Sequence, residues 1–277
     1  MKGITGVVGL WRRLRWTLSD LRAFLLAGFD AMALSLLRDG ASVIFSAMYG
    51  SYLPEVVKES GASDRILAVE ADISKDGDRR GLLDQATARF GGIDILVNNA
   101  AVTPETFWPN FLIDGEPPQW TLDVDFYRMF LEVDCVAPHA FMLAVIPNML
   151  DRGWGRIVNL STSFDTMLRF WPYGSAKAAI EAHTAVLAKQ LEGSGVTANI
   201  LTPGAFVKPG PIELPSGQIV TPDYGPAIME EPIRWLASNA SDQINGKRII
   251  ASRWTGAANP LAAESKAILP VGWTDLD

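Results

Sequence analysis

Arg156-Ile-Val-Asn-Leu-Ser-Thr-Ser163 is the stretch whose reading decides how this chain folds. A β-branched, apolar run that ends in three hydroxyls reads as a buried strand delivering polar groups at its carboxyl end. The short loop from Phe164 to Pro172 follows, and Tyr173-Gly-Ser-Ala-Lys177 then opens a long Ala-rich helix reaching Leu191. Residues four apart share one face of a helix, so Tyr173 and Lys177 point the same way. An ammonium beside a phenol favours the phenolate and draws the tyrosine below its usual value of roughly 10. A hydroxyl from the end of the preceding strand then shares a substrate oxygen with that phenol.

The same alternation runs along the chain in both directions. Val43-Ile44-Phe45, Ile66 to Val69, Ile93 to Val97, Val196 to Leu201 and Ile249-Ile250 are apolar runs of strand length. Helical patterns over 29–39, 77–90, 120–150, 173–193 and 226–238 separate them. Strands alternating with helices predict an α/β, doubly wound (Rossmann-type), mostly parallel sheet with helices on both faces, three layers in all. No repeat, low-complexity tract or linker interrupts 1–277, so the expectation is a single dinucleotide-binding-type domain.

Composition narrows the function. The chain has 277 residues, 48% of them hydrophobic, and a mean hydropathy of +0.14, enough for a sizeable core. A net charge of −7 argues against nucleic acid as a partner. One cysteine, Cys135, forms no internal disulfide and suits a reducing compartment. With only two histidines, His139 and His183, no zinc-ligand spacing exists, and no metal is expected. No uninterrupted apolar run reaches the roughly 20 residues that span a bilayer. The charges Arg12, Arg13 and Arg15 follow the apolar residues 3–11 where a secretory signal has them before. A cytoplasmic location is expected.

A strand ending in Asn98-Asn99-Ala100, one ending in Pro203-Gly204, Asp72 after a third strand, and Tyr173 with Lys177 together resemble the short-chain dehydrogenase/reductase family from about Ala31 to Trp254. The resemblance implies hydride transfer between NAD or NADP and a carbonyl/alcohol substrate. In it, Tyr173 is the acid–base group, Lys177 lowers its pKa and holds the nicotinamide ribose, and Thr162 or Ser163 holds the substrate oxygen. Asp134 occupies the place of the family's assisting Asn. An ionised carboxylate only accepts hydrogen bonds, so it is placed to pair with Lys177 and hold the ammonium away from Tyr173. The cofactor-binding set implied is Asp72, Ile73, Asn98, Asn99, Ala100, Lys177, Pro203, Gly204, Phe206 and Gly28. Asp72 also reads as a helix N-cap, and Lys208 as either a phosphate partner or a surface charge. Met48 and its neighbours supply neither the acid nor the Arg that sets NAD against NADP. The aromatic loop 103–118 and the Pro-rich, mobile loop 209–225, within a lid region 205–238, suggest an apolar or ring-containing substrate. Cys135 reads as a small core residue and His183 as a packing or solvated one.

The resemblance stops in the first thirty residues. No Thr-Gly-x-x-x-Gly-x-Gly turn precedes the helix beginning at Ala31; Gly28 is the nearest glycine, and Thr5-Gly-Val-Val-Gly9 is a fragment of the pattern far upstream. Either residues 22–28 are the first strand, or residues 3–10 are and 11–28 form a helical insertion, or the segment is the product of a shifted frame. Without glycines, a Cβ blocks the approach of backbone to a phosphate. This motivates a competing expectation, a member that keeps the fold but acts as a binding or scaffold protein. The family also implies a homodimer or homotetramer through the two long helices, where Ala178, Ala182 and Ala185 give a small-residue face.

Overall fold

The computed structural model describes residues 5–10 (backbone only), 31–50, 53–108, 110–254 and 266–272. Strand β1 (Thr5–Leu10) is followed by helix α1 (31–38), β2 (Ser42–Ala47), α2 (Leu53–Ser60), β3 (Ile66–Glu70), α3 (Asp76–Phe90) and β4 (Ile95–Asn98). A single helix α4 (Val124–Arg152) leads to β5 (Gly155–Leu160), α5 (Phe164–Arg169), α6 (Tyr173–Gln190) and β6 (Val196–Thr202). A short hairpin, β7 (Ile212–Glu213) with β8 (Ile219–Val220), precedes α7 (Glu230–Leu236), β9 (Lys247–Ile250) and β10 (Ile268–Pro270).

The main sheet runs β10-β9-β6-β5-β4-β1-β2-β3. Every pairing in it is parallel except that of β10 with β9. The order reverses between β1 and β4, and ligands of such sheets bind beyond the carboxyl ends of the strands at that switch. Both faces are buried. Val43, Phe45, Ile95, Val97, Val158 and Leu160 pack against α1, α2 and α7, while Ile44, Leu96 and Ile157 pack against α3, α4 and α6. Successive residues of each strand therefore serve opposite layers, which is why the strands read as continuous apolar runs rather than alternating ones.

Five points left open or read otherwise in the sequence are settled by these elements. The first strand is Thr5–Leu10, in register with β2 from Thr5↔Ser42 to Leu10↔Ala47 and touching β4. That favours residues 3–10 over 22–28; Gly28 itself lies outside the described residues. The loop between the hydroxyls and Tyr173 contains α5, and the segment 103–118 holds a 3-10 turn at Pro104–Thr106 and one helical turn at Phe111–Asp114. The stretch 209–225 is built around the β7/β8 hairpin, with Val207 bridged to Tyr224 at its base. Finally, α4 is long and apolar enough, by length and composition, to cross a membrane. In this fold it is a core helix whose Phe130, Val133, Phe141, Met142 and Met149 are buried against the sheet.

Two local details position the site. Pro138 has no N–H to give the carbonyl of Asp134 four residues back, and its ring would strike that carbonyl. The helix widens into a π turn over Glu132–Val136 at this point, carrying Asp134 inward to 1% exposure. Beside Tyr173, a Cβ on Gly174 would lie 1.9 Å from the carbonyl oxygen of Met167. Only glycine lets α5 lie so close against the start of α6.

Candidate active site

The carboxyl ends of β4, β5 and β6 open into a cavity of about 660 Å³, walled by the segments around Glu105 and Phe111 and by residues 205–209 and 223–229. Tyr173, at the first turn of α6, faces it, and so do Ser161, Thr162 and Ser163 beyond β5. The two candidate hydroxyls are occupied differently. The Ser163 hydroxyl caps α5, accepting from the Thr166 amide at 3.1 Å and meeting the Thr166 hydroxyl at 2.8 Å. The Thr162 side chain stands near enough to the Tyr173 phenol to pull its pKa down, against the other influences on it.

One turn along α6, Lys177 is 3% exposed. Its ammonium donates to the Leu160 carbonyl at 3.2 Å and sits 3.0 Å from Asp134 Oδ1. The other carboxylate oxygen, Oδ2, accepts from the Val102 amide at 3.0 Å. Burial pushes the Asp134 carboxyl up, against the pull of Lys177 and of that amide. The expected pairing of Asp134 with Lys177 is thus present. Its consequence for the phenol reverses the sequence expectation. Burial raises the Tyr173 pKa, Asp134 and Glu105 raise it further, and Thr162 only partly opposes them. Lys177 lies 5.5 Å from the Tyr173 ring, but the adjacent carboxylate cancels most of its field at that distance.

Glu105 is the one charged residue between Asp94 and Asp114 in the sequence, and that isolation is the signal that went unread. Its carboxylate is 3.4 Å from Lys208 Nζ, with both side chains 17% exposed. Burial raises its pKa, but Lys208, Thr103 and the backbone outweigh burial and carry it below the ordinary carboxylate range. Lys208 is therefore not a loose surface charge; it is half of an ion pair inside the cavity wall.

The remaining expected residues divide into two groups. Asn99, Pro203, Gly204 and Phe206 line the cavity with Tyr173 and Lys177. Gly204 has φ of 70°, and a Cβ there would lie 2.3 Å from Ile250 Cγ2. Asn98, Ile73 and Ala100 sit instead at a separate small pocket near β4. Asn98 donates to Asn159 at 2.8 Å, and Asn159 to Thr184 on α6 at 2.8 Å, so Asn98 ties two strands to a helix. Asp72 accepts from the Ser74 amide at 3.0 Å and the Ser74 hydroxyl at 2.6 Å, and pairs with Lys75 at 3.2 Å. It does not cap α3, whose N-cap position is Lys75. Burial and Asp134 push the Cys135 thiol up, which leaves it a poor nucleophile. His183 packs on His139, ring nitrogens 3.1 Å apart.

Among the described residues, the buried Asn99 amide nitrogen and the Ser161 hydroxyl have no protein partner. Both face the cavity, where an amide- and hydroxyl-bearing ligand such as the nicotinamide end of a dinucleotide satisfies them. The described part of the site fits that group.

A family model described as short chain dehydrogenase matches residues 28–211. The match begins where the glycine pattern is missing. A short-chain type dehydrogenase/reductase of Picea abies is 30% identical over 183 residues, which is 62% of this chain and 64% of that protein. An NADPH-dependent aldehyde reductase, chloroplastic, of Arabidopsis thaliana is 32% identical over 212 residues, covering 70% of this chain and 72% of the relative. Among solved structures, a 3-ketoacyl-(acyl-carrier-protein) reductase from Brucella melitensis complexed with NADH superposes with a TM-score of 0.67 at 21% identity. That superposition covers 90% of this chain and 96% of the other, and shares the fold.

Proposed function

The chain belongs to the short-chain dehydrogenase family, a family of NAD(P)-dependent oxidoreductases, and on that premise we propose that Tyr173 moves the proton when a carbonyl/alcohol pair is interconverted in the cavity. The observation that carries this reading is that Tyr173, Thr162 and Lys177 line one cavity, with Lys177 paired to the buried Asp134. A nicotinamide cofactor supplies the hydride when bound. Everything else is asked of this chain's own groups. The Thr162 hydroxyl and the Tyr173 phenol share the carbonyl oxygen, and Tyr173 donates its proton to that oxygen as negative charge develops there. A phenol held above its ordinary pKa is protonated at physiological pH and ready to donate to a carbonyl oxygen.

Lys177 has three N–H donors; one goes to the Leu160 carbonyl, the ammonium is ion-paired with Asp134, and the remaining donor capacity suits the nicotinamide ribose. Asn99, Pro203, Gly204 and Phe206 hold the nicotinamide end, and Asp72, Ile73, Asn98 and Ala100 support the adenosine side. Phe111, Phe170 and Phe206 on the walls suit an apolar or aromatic carbonyl. We read 1–277 as one dinucleotide-binding domain in which 205–238 covers the cavity, and we place the protein in the cytoplasm, where its free Cys135 stays reduced.

Replacing Tyr173 by Phe removes the proton donor and leaves the ring in place. Steady-state assays over a carbonyl panel with NADH and NADPH are expected to show turnover in the parent chain and its loss in Tyr173→Phe. Retained turnover in the variant refutes the assignment. One observation favours a second reading, a non-catalytic binding protein: Asp134 engages the lysine that the acid–base group depends on. Titration of NADH and NADPH followed by nucleotide fluorescence separates the two, because absent binding to both supports the non-enzyme.

A further inference from the structure

Arg248, on β9, carries a charge into the middle of the molecule. It is 3% exposed, and its partner Glu181, on α6, is fully buried at 0%. One guanidinium nitrogen forms an ion pair with the Glu181 carboxylate. The other donates to the backbone carbonyl of Thr162. The guanidinium also lies over the Phe164 ring, 4.5 Å from its centroid. Burial, helped by Arg253, lowers its pKa to about 10, so it remains a cation at neutral pH.

A buried ion pair is a poor choice for stability alone, because well-packed apolar residues of the same volume usually fold as well or better. What an apolar pair cannot do is hold two separate acceptors in one planar fork. Glu181 lies eight residues beyond Tyr173 on the same helix, about 12 Å along its axis. Thr162 belongs to the segment that leaves β5. Arg248 therefore closes a circuit that runs from α6 through Glu181 and the guanidinium to the Thr162 backbone, and returns through the Thr162 side chain to the Tyr173 phenol on α6. Lys177 ties Leu160 to α6 on one side of this segment and α5 packs against α6 on the other; the circuit adds a tie at Thr162 itself, from β9.

We propose that Arg248 is a positioning residue of the active site: through Glu181 and the Thr162 carbonyl it holds Thr162 beside Tyr173. The inference rests on the reading of Thr162 and Tyr173 as the reacting pair.

The test compares Arg248→Met/Glu181→Leu, which refills the volume without leaving a buried charge, with Arg248→Lys and the parent chain. The double variant is expected to melt at or near the parent temperature. Its kcat is expected to fall on the order of 10–100-fold, as a displacement of catalytic groups by about 1 Å does, with KM for the nicotinamide cofactor little changed. Arg248→Lys, a point charge without the fork, recovers part of kcat. Hydrogen–deuterium exchange of the peptide spanning residues 161–170 is expected to rise in the double variant while that of α6 does not. A double variant with parent kcat and parent exchange overturns the proposal. Retained turnover in Tyr173→Phe sinks the acid–base reading instead, and the exchange measurement still decides whether Arg248 restrains the Thr162 segment.

Discussion

Asp134→Asn isolates the electrostatics of the site. In the native chain the Asp134 carboxylate lies 3.0 Å from Lys177 Nζ and is almost completely buried. Burial is the largest cause of the raised Tyr173 pKa, and the Asp134 charge is the next. Asparagine keeps the shape and an oxygen for the Val102 amide or for Lys177, but removes the charge. Lys177 is then uncompensated, 5.5 Å from the Tyr173 ring. At an effective dielectric of about 20, one unit charge at that distance stabilises the phenolate by about 3 kcal/mol, or about two pK units. Phenolate then forms at lower pH. In the direction of alcohol oxidation, where Tyr173 must be deprotonated, the rising limb of kcat/KM against pH is expected to move acid by one to two units, about the size of that shift. In carbonyl reduction the falling limb moves acid with it. Steady-state pH profiles of the parent and Asp134→Asn are the assay. Thermal melts serve as the control. Unpairing a buried charge costs about 3–5 kcal/mol when nothing replaces the partner, and the amide oxygen keeps the loss below that. A limb that stays in place, or moves alkaline, in a folded variant refutes the argument that Asp134 governs the phenol.

The fold was legible because a parallel sheet buried on both faces leaves continuous apolar runs, and Ile157-Val158 and Ile95-Leu96-Val97 each feed two layers at once. The pairing of Asp134 with Lys177 was also legible, from the chemistry of a carboxylate placed near an ammonium. The sign of the phenol's shift was not, because burial and Glu105 act on Tyr173 from a loop some seventy residues away in the chain. Thr162 and Ser163 stood equal in sequence since both follow the same strand. What separates them is the start of α5, which takes the Ser163 hydroxyl as its cap. That helix, Phe-Asp-Thr-Met-Leu-Arg, is too short to show a period. The role of Arg248 is not legible in the sequence, because the apolar signal of β9 comes from Ile249 and Ile250 and a flanking arginine reads as solvated until its partner on α6 is known. The phosphate-binding turn stayed unread for a different cause: the glycines that announce it are missing between Gly9 and Gly28.

Two further outcomes follow from the geometry. Thr162→Ala is expected to lower kcat on the order of 10²–10³-fold, as removal of one oxyanion donor does, with the melting temperature nearly kept. Ser163→Ala is expected to do the reverse, losing about 1 kcal/mol of cap stability with kcat close to the parent, so equal kinetic losses in the two refute the distinction. The second outcome concerns assembly. On α4, Val136, Leu143 and Leu150 repeat at helical spacing and are exposed, Leu143 to 61%. Across from them on α6 stand Val186, 59% exposed, and the half-buried Ala178, Ala182 and Ala185. The two helices meet at the exposed His139–His183 contact, and each presents apolar residues to the surface near it. A surface of that kind is expected to meet its own copy, residue against residue about a two-fold axis. Light scattering is expected to give a dimer or tetramer mass, with Leu143→Glu/Val186→Glu driving it to monomer. A monomer mass for the parent chain refutes this, because α4 and α6 would then keep an apolar face in water with no partner to cover it.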